Sequence, residues 1–219
     1  MPANETKAFL HLSAMTLASP LHEAMGYAIS VADQKMVSYR VSGAKYRGLH
    51  SYLVRVGVRE FLLEEGLPDS WEIAGNPELS GQLKFLDQQS GWQIRFLKES
   101  PVTTNRVPLA GANKARRQIW TGDLFSSAGV DHSLGRAIRE DELLMLWNLQ
   151  NQDFGLRVVH TTGPGKFQKT VPVNYSLDLV VSGNVHENRR FDPDNSEENL
   201  VTEAYIENSE FHATGSGEF

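Results

Sequence analysis

Apolar residues recur along this chain with two different periods, and the change from one to the other divides it. From Arg47 to Glu65 the spacing is helical: Leu49, Tyr52, Leu53 and Val56 share a side, and Phe61 and Leu62 extend it. This predicts a helix that stops at Gly66, where a left-handed C-cap residue is wanted, with Pro68 unable to continue it. Gly57 inside that helix costs about 1 kcal/mol relative to alanine, so packing has to make up the difference. An earlier helix is predicted from Pro20 to about Ala32, because Ser19 suits an N-cap and Pro20 suits the first helical position. Residues 1–15 keep no persistent period and read as an arm. Met36 to Val41 reads equally well as strand or helix end.

Further along, the period shortens to two. Gln82 to Leu86 and Trp92 to Phe96 alternate apolar with polar residues around the turn-forming run Asp87 to Gly91, which predicts a hairpin. Leu143 to Leu149 and Leu156 to His160 predict two more strands, joined by the polar run Gln150 to Gly155. After Gly163-Pro164-Gly165, the residues Val171, Val173, Tyr175, Leu177, Leu179 and Val181 alternate with polar ones. The last three segments form an antiparallel meander with one apolar face, and the upstream helices are its natural cover. The expected fold is therefore α+β, with N-terminal helices packed on a mainly antiparallel sheet of about five strands. Pro101 to Asp141 carries no firm pattern. So long a weak stretch inside a domain marks either a functional loop region or a misread element.

Beyond Val181 the composition changes. Ser182-Gly183-Asn184 breaks the strand, and Ser196 with Glu197 and Glu198 looks like the capped, acidic first turn of a helix striped by Leu200, Val201, Ala204 and Tyr205. The expected organisation is a single α+β domain over 1–183, an acidic appendage with a short helix over 184–213, and an appended linker over 214–219. Charge supports this division. The net charge is −6, but Asn184 to Phe219 holds nine acidic residues against Arg189 and Arg190, a net of −7, so the first 183 residues are near +1. An overall acidic balance is thus poor evidence against an anionic partner for the body. There is no cysteine, which excludes a disulfide framework and fits a reducing compartment. No apolar run approaches the roughly 20 residues of a membrane span, so a cytoplasmic protein without a membrane partner is expected.

The chemistry on offer is sparse. Between Thr103 and Gly122 there is no acidic residue, while Arg106, Lys114, Arg116, Arg117 and then Trp120 supply cations and an aromatic ring. The cations suit phosphate contact and the ring suits stacking on an unpaired base. Against this stands the ordinary case of a solvated basic face, or of cations paired with the acidic tail. The leading expectation is a non-enzymatic binding or regulatory protein that contacts nucleic acid through this segment. One alternative is a phosphodiester hydrolase of the metal-dependent nuclease type, with Asp87, Lys98 and His160 as its candidates. The carboxylate such a site needs two residues before the lysine is replaced by Phe96. The other alternative is a protein-interaction module that uses the acidic C-terminal helix.

Several motifs fail on inspection. Thr161 to Lys166 lacks the first glycine of a phosphate-binding loop, where His160 stands, and has Phe167 where a hydroxyl is required. The seven histidines show no metal-ligand spacing, so no metal site and no cofactor is expected. Nor is there a Gly-x-Ser-x-Gly elbow or a dinucleotide fingerprint.

Overall fold

The computed structural model describes residues 3–42, 45–68, 70–112, 114–121, 142–150 and 153–181. All of these lie in the first of the two units into which the chain divides, Met1–Val181. The acidic helix expected after Ser196 lies outside the described residues.

Three helices lead the chain: α1 (Ala3–Thr16), α2 (Ala18–Ser38) and α3 (Arg47–Glu65). The arm expected over residues 1–15 is therefore mostly helix. Its buried side is set by Leu10 and Ala14, followed by Leu17, and one of these three is an alanine, which barely registers in an apolar pattern. Pro20 falls inside the first turn of α2, where its missing amide costs nothing. The ambiguous stretch after Met36 resolves as the end of that helix. α3 has the predicted bounds. Gly66 has φ 90° and ψ 170°, so it uses glycine's freedom at positive φ without adopting the left-handed helical cap.

Gly57 has a packing reason. A Cβ at this position would lie 2.9 Å from Ala28 Cβ and 3.1 Å from Ala28 Cα. Glycine on α3 and alanine on α2 thus let the two backbones approach closely, and dispersion along the contact offsets the glycine penalty.

Six strands follow: β1 (Trp71–Ala74), β2 (Lys84–Asp87), β3 (Gln93–Lys98), β4 (Glu142–Gln150), β5 (Asp153–Thr161) and β6 (Val173–Asp178), with the short helix α4 (Lys114–Ile119) between β3 and β4. They form one sheet in the order β1-β2-β3-β4-β5-β6. The predicted hairpin and meander are both present. The expectation of about five strands falls short by one, because β1 is only four residues long and its alternation, Trp71-Glu72-Ile73, is too brief to stand out. The sheet is also mixed: β3 pairs with β4 in parallel, from Gln93↔Glu142 to Lys98↔Trp147, and every other neighbouring pair is antiparallel.

The parallel pair has a consequence for the core. Parallel neighbours need a crossover that leaves one strand's end and returns to the start of the next, and the described part of this crossover packs on the sheet. The sheet therefore has two covered faces, where the sequence suggested one. In β4 the whole run Leu143 to Trp147 is buried. Leu143, Met145 and Trp147 join the helices in a large cluster with Phe85, Ile94, Phe96 and Val158, whereas Leu144 and Leu146 meet Val107, Ala110, Trp120, Val159 and Val171 on the other side. A strand buried on both faces reads as a continuous apolar run, and this one does.

Candidate nucleic-acid interface

The segment from Lys98 into α4 covers the second face of the sheet without much regular structure, so individual hydrogen bonds fix it. Asn105 is the principal tie: its Nδ2 donates to the Val171 carbonyl (2.8 Å) and its Oδ1 accepts from the Val171 amide (3.1 Å). Thr103 Oγ1 donates to the Val107 carbonyl at 2.6 Å, and the Ala110 amide donates to Pro164. Glu99, whose side chain is 8% exposed, accepts from Arg157 Nε at 2.8 Å, and Arg157 Nη2 also donates to the Asn105 carbonyl at 2.7 Å. The loop carrying Gly163-Pro164-Gly165 closes against this layer. Gly165 has φ 70°, and a Cβ there would come within 2.6 Å of Val171 Cγ2.

On this scaffold the five residues proposed for nucleic-acid contact fall into three groups. Lys114 and Arg117 are exposed on α4, and Arg116 is half-buried beside them. Arg117 Nε is fixed by donation to the Gly111 carbonyl at 2.7 Å, which orients its guanidinium. Arg106 is exposed but 3.8 Å from the Glu99 carboxylate, so part of its charge answers a carboxylate of the same chain. Trp120 is the exception. It is 1% exposed and packs with Val107, Leu144 and Val159 beneath the segment, so its ring is an anchor for α4 and offers no face to a base. With Ile119 half-buried alongside it, the apolar end of α4 is turned toward the sheet and the basic residues lie on its remaining surface.

The residues of the hydrolase alternative do not converge. Asp87 ends β2 at the hairpin turn, completely buried, where it accepts from Ser13 Oγ (2.9 Å), Ser90 Oγ (2.6 Å) and the Gln89 amide (3.1 Å). It ties α1 to the turn. Lys98 stands at the other end of the hairpin, five residues along β3 from the partner of Leu86, a separation of about 17 Å at strand rise. Its Nζ lies 4.7 Å from the centre of the Trp147 ring. Burial, and then the charge of Arg47, lower its pKa from the usual lysine value. His160 is buried on β5 with Nδ1 2.7 Å from Asn174 Oδ1. Among the described residues no group of His, Cys, Asp or Glu could hold a metal ion. Nor is any helix among them long and apolar enough to cross a membrane.

A second cationic region spans the end of α2 and most of α3. From Gln34 to Arg59 there is no acidic residue, and Lys35, Arg40, Lys45, Arg47, Arg55 and Arg59 lie in that span. The signal is visible in the chain, where it overlaps the helical period of the apolar positions of α3.

Comparison with known proteins brings no further constraint: no family model, no curated protein and no solved structure matches the chain.

Proposed function

We propose that this is a non-enzymatic binding or regulatory protein that contacts nucleic acid through the basic segment around residues 106–117. The observation that carries the reading is the placing of Lys114, Arg116 and Arg117 together on α4, on a stretch of sequence free of acidic residues, with the helix held down by Trp120. Cations on an anchored helix lose less freedom on meeting a phosphate than cations on a loose arm. Arg106 contributes to the field as a weaker member because Glu99 already faces it. Trp120 takes no stacking role, because its ring is buried.

The test is the binding of fluorescein-labelled single-stranded and duplex DNA to the full chain, followed by anisotropy over a salt series. Phosphate contacts make log affinity fall linearly with log salt, by about 0.7 per contact for a single strand and about 0.9 for a duplex. Lys114→Ala with Arg117→Ala is expected to flatten the slope by about 1.4 to 1.8, on the same relation. A slope unchanged in that variant would remove α4 from the interface.

A further inference from the structure

The helix-covered face of the sheet carries a surface whose chemistry is more specific than that of α4. At the carboxyl end of α2 stand Lys35, Val37, Tyr39 and Arg40, all exposed, and at the amino end of α3 stand Lys45, Tyr46 and Arg47, also exposed. The two ends are held together. His50 Nε2 lies 3.0 Å from Asp33 Oδ1 across the helix pair, and the Tyr46 amide donates to the Ser42 carbonyl at 2.9 Å. Lys45 Nζ is 5.7 Å from the centre of the Tyr46 ring, so cation and ring share one patch. Tyr52, six residues further along α3, is exposed as well.

Two features distinguish this surface from an ordinary solvated helix face. The first is an excess of cations over carboxylates on these two helix ends. Asp33 is the nearest acidic residue on the two elements, and it is engaged with His50. Across the packing boundary, β3 brings Lys98 close enough to Arg47 that their like charges act on each other. A surface that gathers more cations than carboxylates leaves a positive field for an outside anion to answer. The second is the alternation of charge and ring: Tyr39 precedes Arg40, and Tyr46 lies between Lys45 and Arg47. Exposed tyrosine is an amphipathic, low-entropy contact residue. Phosphate alone needs no such rings, and a duplex keeps its base faces stacked inside. A single strand alternates phosphates with open base faces, and a groove or surface of cations and aromatics matches that alternation.

We infer that Tyr39, Arg40, Lys45, Tyr46 and Arg47, with Lys98 at the margin, form a binding surface for single-stranded nucleic acid, with the tyrosines stacking on bases and the cations contacting phosphates. The surface lies on the opposite face of the sheet from the segment behind α4, and its argument does not depend on the α4 reading.

The experiment uses the full chain and a fluorescein-labelled dT20, with a 20-base-pair duplex of mixed sequence as the comparison. Tyr39→Ala with Tyr46→Ala is expected to weaken dT20 binding by about fivefold to a hundredfold for each stacked base lost, with little change for the duplex. Tyr46→Phe keeps the ring and is expected to bind as the wild type does. Arg40→Ala with Arg47→Ala should flatten the salt slope for dT20 by about 1.4. All four side chains are exposed, and circular dichroism of each variant verifies that the fold is kept. The inference is overturned if the double tyrosine variant binds dT20 like the wild type, or loses duplex and single strand equally. It is also overturned if vesicles of phosphatidylserine compete for the patch while dT20 does not bind. The two proposals fail separately: loss of binding only with Lys114→Ala and Arg117→Ala sinks this one and keeps α4. Loss only with the α2–α3 variants does the reverse.

Discussion

The two faces of the sheet are covered by different means, and the same central strand serves both. On one face α1, α2 and α3 bury a continuous cluster that takes in Phe85, Ile94, Phe96, Met145 and Trp147. On the other, the described part of the crossover, with one short helix among its described residues, covers a smaller set, Leu144, Leu146, Val159 and Val171. The helices satisfy their own backbone groups internally. The crossover satisfies its groups through side chains such as Asn105 and Thr103 and through the loop at Pro164. The helical cover is consequently set by apolar packing, whereas the crossover cover depends on a handful of polar ties that can be lost one at a time.

Substitutions on alternate residues of β4 test that contrast most directly. Trp147→Ala, on the helix side, removes a fully buried ring that stacks with Phe96 at 6.3 Å between centroids. A loss of about 3–5 kcal/mol is expected, read as a lower urea midpoint with loss of cooperative folding at physiological temperature. Leu146→Ala, on the crossover side, is expected to cost about 2–3 kcal/mol, the lower part of the range for such truncations, because the irregular cover can settle into the space. Equal losses at the two positions would mean that the crossover is as rigid as the helices.

The buried carboxylate of Glu99 gives the next effect. Arg157→Ala leaves Glu99 without its close partner in a site where the side chain is 8% exposed. About 2–4 kcal/mol is expected to be lost, most of it the cost of a buried charge left with only the more distant Arg106, 3.8 Å away, to answer it. Glu99→Gln with Arg157→Leu together should recover a large part of this, since removing both partners leaves no stranded charge. If the double variant is no more stable than Arg157→Ala, the charge pair is not what fixes the start of the crossover.

How far the sequence revealed this contrast depends on which signal each region carries. α3 and β4 were legible because an apolar period over many residues states both element and face. Even so, the unbroken run Leu143 to Trp147 already carried the sign of a two-sided strand. β1 was illegible because Trp71-Glu72-Ile73-Ala74 is too short and isolated an alternation to stand out, whereas β2 was read within the longer run Gln82 to Leu86. The parallel pairing of β3 with β4 was illegible too, because it depends on where a patternless crossover returns. Trp120 illustrates a general limit: an aromatic after a basic run has the same sequence whether it points at a ligand or at the core, and only packing decides. For the tyrosines of the α2–α3 end the sequence held the evidence, in twenty-six residues without an acid, and the periodicity of α3 masked it.

Asn105→Ala separates local from global stability. It removes both ties to Val171, at a cost of about 1–2 kcal/mol. Amide exchange should quicken at Val171 and across 100–110, while the β4 amides paired with β3 and β5 keep their protection. Gly57→Ala probes the other face at a comparable scale. Its helix propensity gain of about 1 kcal/mol is set against a Cβ forced to 2.9 Å from Ala28. The net is expected to be a destabilisation of about 1–2 kcal/mol, spread over the whole transition and not confined to one segment. Faster exchange limited to α3 in that variant would make the helix face as divisible as the crossover.

The last effect is a dependence on alkaline pH, and it belongs to the edge of the helix-covered face. Tyr175 lies on β6 against α1, beside Ala8 and His11, with its hydroxyl oxygen buried and without a hydrogen-bond partner among the described residues. Burial pushes its phenol up to about 12, against about 10 in an unfolded chain. The folded state therefore holds this proton more tightly. The resulting stability is complete below about pH 10 and is lost as pH rises from about 10 to about 12. Lys98 runs the opposite way, since a lowered pKa makes its folded form shed a proton first, and its contribution grows as pH rises toward the free lysine value. Tyr175→Phe should abolish the part of the alkaline decline that belongs to the phenol and leave the Lys98 part in place. The measurement is the urea midpoint at pH 9.5 and pH 11.5 for both proteins. A parallel decline in the two would show that Tyr175 titrates in contact with water, and that β6 and α1 do not seal this end of the core.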